Sequence, residues 1–120
     1  MSIVGPTEME RITSIKDPRV VEARGLTSSS ARRRSGKCLL EGDEVIAWAL
    51  AADVPVERVF VHDEIGDERR SLLDDLRERG VTCFAVSEGI LKKLTGRRYL
   101  VPLVGVARWD GSAAAPRAIS

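Results

Sequence analysis

Short apolar runs with strand character alternate along this chain with runs whose apolar residues recur at helical spacing, and that alternation limits the folds open to it. Lys37 to Leu40, Val56 to Val61, Val81 to Val86 and Leu100 to Ala107 read as strands, the second and third rich in β-branched residues. Between them, Val45, Ile46, Ala49 and Leu50 mark one helical face, Leu72, Leu73 and Leu76 a second, and Ile90, Leu91 and Leu94 a third. Strand and helix in alternation predict parallel connections and an α/β architecture. The expected fold is a three-layer α/β/α sandwich, a small and mostly parallel sheet of about four strands with helices on both faces.

Local signals set the expected boundaries. Asp17-Pro18 predicts a capped helix carrying Val20, Val21, Ala23 and Leu26, with Gly25 near its end. Thr27 to Ser30 offers caps for a second short helix through the arginines. Asp43 is expected to cap the helix after the first strand, Ser87 the helix after the third, and Gly80 to end the helix between. Trp48, on an alanine-rich helix, is expected in the core. Met1 to Glu10 show no periodicity and contain Gly5-Pro6, so residues 1–11 are expected to be disordered ahead of a single domain at 12–108, with 109–120 as a linker.

The net charge of +1 conceals segregation. Met1 to Leu40 holds eight bases and four acids, Glu41 to Cys83 five and twelve, and Phe84 to Ser120 six and two. A phosphate backbone responds to charge within a Debye length of about 8 to 10 Å, so the two basic ends matter more than the sum. Their clusters are Arg32, Arg33, Arg34 and Lys37, leading to Glu41-Gly42, and Lys92, Lys93, Arg97 and Arg98. Cations without nearby acids favour phosphate binding, which adds affinity by counterion release. Tyr99 and Trp109, beside the second cluster, are candidates for stacking on an unpaired base.

Other chemistries lack their residues. Neither GxGxxG nor GxxxxGK is present, and His62 beside Asp63-Glu64 reads as a solvated loop residue rather than part of a triad. Asp63-Glu64 and Asp74-Asp75 read as solvated charge. Cys38 and Cys83 lack CxxC spacing and are expected as buried free thiols, so no metal site and no catalytic residue is assigned. No apolar run reaches the ~18 to 20 residues of a membrane span and no signal-peptide pattern is present, from which a cytoplasmic location is expected.

Taken in order, Ile12-x-Ser14-x-x-Asp17-Pro18, Arg34 seven residues ahead of Glu41-Gly42, Val86 to Leu94 and Gly105-Val106-Ala107 resemble the N-terminal substrate-binding domain of the SpoU (TrmH) RNA 2′-O-ribose methyltransferases. Asp17 stands where that family usually has asparagine, and Pro102-Leu103-Val104-Gly105 where it often has Pro-Gln-Gly. The resemblance implies a fold like that of ribosomal proteins that bind kink-turn RNA. It implies RNA, chiefly ribosomal, as partner, contacted by the turn at Glu41, Gly42 and Asp43 and the loop at Gly96, Arg97 and Arg98. The family's knotted SPOUT domain binds S-adenosylmethionine and dimerises, but its Asn-x-Gly-x-x-x-Arg, Gly-x-Glu-x-x-Gly and Ser-Leu-Asn motifs do not occur in these 120 residues. No cofactor is therefore expected on this chain, which is expected to be monomeric alone and to recognise RNA for a methyltransferase that is homodimeric in full. The alternatives are a stand-alone kink-turn-binding protein, or a protein-interaction domain using the acidic helix Asp67 to Arg79.

Overall fold

The computed structural model describes residues 9–65 and 67–108. In chain order they form β1 (Glu10–Arg11), α1 (Pro18–Gly25), α2 (Ser29–Ser35), β2 (Lys37–Glu41), α3 (Asp43–Ala51), β3 (Val56–His62), a 3-10 turn (Asp67–Arg69), α4 (Arg70–Glu78), β4 (Thr82–Val86), α5 (Glu88–Thr95) and β5 (Leu103–Arg108). The five strands make one sheet in the order β1-β4-β3-β5-β2. β1 and β3 flank β4 in parallel, whereas β5 runs antiparallel to both its neighbours, β3 and β2. Four strands thus share one direction and β5, entered after α5, is the reversed one.

Alternation along each strand divides the interior into two cores. Cys38, Leu40, Val59, Val61, Cys83, Ala85, Leu103 and Ala107 pack with Val45, Ile46, Ala49 and Leu50 of α3 and Leu73 and Leu76 of α4. On the other face Leu39, Phe60, Phe84, Val86, Val104 and Val106 pack with Val20 and Ala23 of α1 and Ile90, Leu91 and Leu94 of α5. Period-two strands buried on both faces make the predicted three layers, each fully buried Leu, Val or Phe stabilising by about 1.5 to 3 kcal/mol. Phe60 and Phe84 meet at 5.9 Å between ring centroids.

Caps follow the local sequence with one exception. Asp17 accepts from the Arg19 backbone N–H at 2.9 Å, Ser28 from Ala31 at 3.4 Å, and Ser87 from Ile90 at 3.3 Å. At α3 the cap residue is Gly42, and Asp43 is the first helical residue instead of the cap, placing its carboxylate in the first turn.

Three further expectations are corrected. Met9 is buried and Glu10–Arg11 pair with Phe84 and Ala85, so the ordered domain begins before residue 12; residues 1–8 and 109–120, including Trp109, lie outside the described residues. Trp48 is 43% exposed, because it falls outside the stripe set by Val45, Ile46, Ala49 and Leu50. His62 is the last residue of β3, its side chain only 15% exposed, with Nε2 3.7 Å from Asp63.

Candidate nucleic-acid interface

Two segments distant in sequence meet at the C-terminal end of β2. Gly42 leaves the strand at φ 104°, a conformation that glycine adopts without the Cβ clash of other residues, and donates its N–H to Leu103 O at 2.8 Å. Opposite, Gly96 closes α5 in the left-handed region, and the Arg97 N–H donates to Thr95 Oγ1 at 3.2 Å. The Arg97 guanidinium then reaches Glu41, Nε to Oε1 at 2.9 Å and Nη2 to Oε2 at 3.5 Å. Hydrogen bonding to Glu41 raises the Arg97 pKa, so the side chain is a fixed cation. Its guanidinium carbon also lies 5.8 Å from the centroid of the Tyr99 ring.

Beside this junction the packing of α1 against α5 leaves an open groove of about 610 Å³ lined by Arg24, Thr27, Gly89, Lys92, Lys93, Gly96 and Arg97. Lys92 pairs with Glu88 one turn back, at 2.8 Å, which lowers the Glu88 pKa. Arg24 and Lys93 are exposed and have no ion-pair partner among the described residues. The groove therefore offers two uncommitted cations together with two that are held by carboxylates. Such a surface suits an extended polyanion, since phosphate contacts require cations in register more than an enclosing pocket.

The basic cluster around α2 separates into different roles. Arg32 donates from Nη1 to Leu26 O at 3.0 Å and Thr27 O at 3.2 Å, tying α2 to the end of α1. Arg33 and Arg34 are exposed and unpartnered among the described residues, as is Arg98 beyond α5. Lys37 lies at the other end of β2 from Glu41, about 13 Å along the strand. There it sits opposite Arg108 in the antiparallel register, a like-charge pairing that costs stability unless neutralised. A bulge in β3 between Val56 and Arg58 supplies the acid: Glu57 contacts Lys37 at 3.0 Å and Arg108 at 2.8 Å, while Glu22 contacts Lys37 at 3.2 Å and Arg58 at 2.6 Å. Hydrogen bonds that Lys37 donates to Glu57 and Glu22 raise its pKa; burial opposes ionisation of Glu57, but Lys37 and Arg108 outweigh it and hold that carboxyl low. Lys37 is thus spent within the fold and away from the groove.

Arg24 and Thr27 escaped the sequence reading. Arg24 is a single cation in the last turn of α1, with Glu22 two residues before it, and only the contact of α1 with α5 brings it to Lys93. The opposite layer has its own acidic depression, between α3 and α4, lined by Ala47, Glu68, Ser71, Leu72, Asp74, Asp75 and Glu78.

The family model for the MRM3-like substrate binding domain matches residues 17–99, a span that contains the groove, the Glu41 turn and the Arg97 loop. No curated protein matches the sequence significantly. Among solved structures, an RNA 2′-O ribose methyltransferase is 30% identical with a TM-score of 0.74, over 86% of this chain and 39% of its own. The rRNA methyltransferase from Sinorhizobium meliloti aligns with a TM-score of 0.71 at 20% identity, over 84% of this chain and 37% of its own. The SpoU methyltransferase AviRb from Streptomyces viridochromogenes aligns with a TM-score of 0.69 at 22% identity, over 82% of this chain and 37% of its own. The chain thus spans less than two fifths of the length of these structural relatives. With 17–99 matched in sequence and the fold shared over more than four fifths of its length, the chain belongs to the MRM3-like substrate binding domain family.

Proposed function

We propose that this chain grips RNA, with ribosomal RNA as its substrate, and presents a ribose to a methyl-transferring domain. The observation that carries this reading is the meeting of the Glu41-Gly42 turn and the Arg97 loop at the rim of a groove lined by Arg24, Lys92, Lys93 and Arg97. In this reading the domain acts in the cytoplasm and works by positioning. Arg24 and Lys93 take phosphates, Lys92 and Arg97 contribute charge from fixed positions, and the exposed Arg33, Arg34 and Arg98 extend the field around the groove. S-adenosylmethionine, the methyl-transfer chemistry and the dimer contacts belong to a separate domain. The structural relatives, an RNA 2′-O ribose methyltransferase and an rRNA methyltransferase among them, support the choice of RNA.

Titration of the chain with large-subunit ribosomal RNA fragments across a salt series, with S-adenosylmethionine titrated in parallel, tests the proposal. Saturable RNA binding that weakens steeply with salt, without cofactor binding, is the expected result. If RNA fails to bind at low salt while a basic peptide does, the acidic depression between α3 and α4 is the functional surface and the reading fails.

A further inference from the structure

Tyr99 is the most exposed large apolar side chain among the described residues, at 59%, and its hydroxyl has no hydrogen-bond partner among them. An aromatic ring left open to water needs a reason when the same chain buries both phenylalanines. Its surroundings supply one. Arg97 lies over the ring at 5.8 Å to the centroid, and the Arg97 guanidinium is itself oriented by hydrogen bonds to Glu41. The ring therefore stands beside a cation that is already ordered, and that cation is also a wall of the groove that holds Arg24 and Lys93. A planar aromatic flanked by a fixed guanidinium, next to unpaired cations, is the combination on which an extruded nucleobase stacks while its neighbouring phosphates are neutralised. A fully paired helix shields its base faces and gains nothing from such a ring.

Resting on the RNA reading above and sharpening it, we propose that Tyr99 and Arg97 form a stacking shelf for one unpaired nucleobase at the mouth of the groove, so that the preferred ligand is RNA with a flipped-out or looped nucleotide rather than a continuous duplex. The shelf recognises a π-face and carries little sequence preference by itself, because every base offers one.

The test compares a hairpin RNA containing an unpaired loop with a blunt duplex of equal phosphate number, for the 120-residue chain and for Tyr99→Ala, Tyr99→Trp and Lys93→Glu. Tyr99→Ala is expected to weaken hairpin binding about tenfold, within the range of alanine substitutions at base-stacking positions, and to leave duplex binding within about twofold. The salt slope of the hairpin should be unchanged by Tyr99→Ala, since no phosphate contact is lost, and reduced by Lys93→Glu. Tyr99→Trp should retain hairpin affinity. If Tyr99→Ala binds the hairpin as tightly as the parent, or loses hairpin and duplex equally, the shelf is overturned while the salt-dependent RNA grip stands. If neither RNA binds the parent chain at low salt, the RNA reading falls and the shelf with it.

Discussion

The two helical layers cover the same sheet with equally apolar undersides, yet their outer surfaces treat charge in opposite ways. The α1, α2 and α5 segments, residues 13–36 and 87–101, carry ten bases and three acids, and those around α3 and α4, residues 42–55 and 63–80, four bases and ten acids. Charge number alone would make either side a candidate interface. Pairing separates them. On the α4 side arginines meet acids within a turn or so, Arg70 with Asp67 at 3.0 Å and Arg79 with Asp75 at 3.0 Å, the local pairing of a solvated helix. On the α5 side Arg24, Arg33, Arg34, Lys93 and Arg98 lack partners among the described residues. Cations that a fold leaves unneutralised on one face are a better mark of a polyanion site than a cluster counted along the chain.

If the layers are equal partners in the fold, emptying either core should cost alike. Leu76→Ala in α4 and Leu91→Ala in α5, both fully buried, should each lower stability by about 2 to 5 kcal/mol in urea or guanidinium unfolding. A loss under about 1 kcal/mol at Leu76 would show α4 to be an appendage and would break the symmetry on which the comparison rests. Function should divide where stability does not. The double reversal Arg24→Glu with Lys93→Glu should weaken RNA binding at least tenfold and reduce the salt slope by about two phosphates' worth, roughly 1.8 in log K against log salt on a duplex region. Asp74→Lys with Glu78→Lys changes charge by the same amount on the other face and should alter affinity far less. Equal and opposite effects from the two pairs would mean that net charge, not the groove, governs binding.

How far this was readable in the sequence depends on the range of each interaction. Asp17-Pro18, Thr27 to Ser30, Ser87 and Gly80 act on neighbours within four residues, and the helices they bound were legible from them. The strands' double burial was legible from their continuous apolar runs. The direction of β5 was not, because an antiparallel insertion between β2 and β3 is decided by pairings more than 40 residues apart in sequence. β1 is two residues long, too short to show alternation. The exposure of Trp48 is legible from its helical position, which lies off the buried stripe, and not from the alanine-rich composition around it. At the site, the Glu41 turn and the Arg97 loop were anticipated through the family resemblance, and the structure joins them by an ion pair. The partners of Lys37, Glu22 and Glu57, come from α1 and a bulge in β3, so nothing near Lys37 in sequence marks it as neutralised.

Asp17 lets the comparison be sharpened at the start of the α1 layer. Its carboxyl is held down at about 2, from an ordinary value near 3.8, by hydrogen bonds from the Arg19 guanidinium against the opposing effect of desolvation. Because the folded value is the lower one, the stabilisation is full above the unfolded pKa and is lost as pH falls through about 2. Asp17→Ala should cost about 1 kcal/mol at neutral pH, the usual loss of a helix cap. Asp17→Asn should cost less, as its amide oxygen can still accept from the Arg19 N–H, and should remove the acid-sensitive component between about pH 4 and 2. Urea midpoints measured across that window for the three proteins give the answer, and an unchanged acid dependence in Asp17→Asn would assign the effect to other carboxylates.

The smallest effect belongs to the contact that joins the two segments of the site. Arg97 and Glu41 are 44% and 18% exposed at their side chains, and an ion pair so open to water contributes about 0 to 1 kcal/mol. Glu41→Gln removes the charge and leaves an amide oxygen able to accept from Nε, so unfolding should shift by less than about 1 kcal/mol, and the difference from the parent should shrink as salt rises. A larger, salt-independent loss would make the contact part of the scaffold. A small one fits a contact that orders Arg97 without consuming it, since a phosphate entering the groove competes with one carboxylate rather than two. That is the inverse of Lys37, which two carboxylates hold at the far end of the same strand. Two cations bounding β2 are thus both ion-paired, and what distinguishes the one available to a ligand is the weakness of its tie.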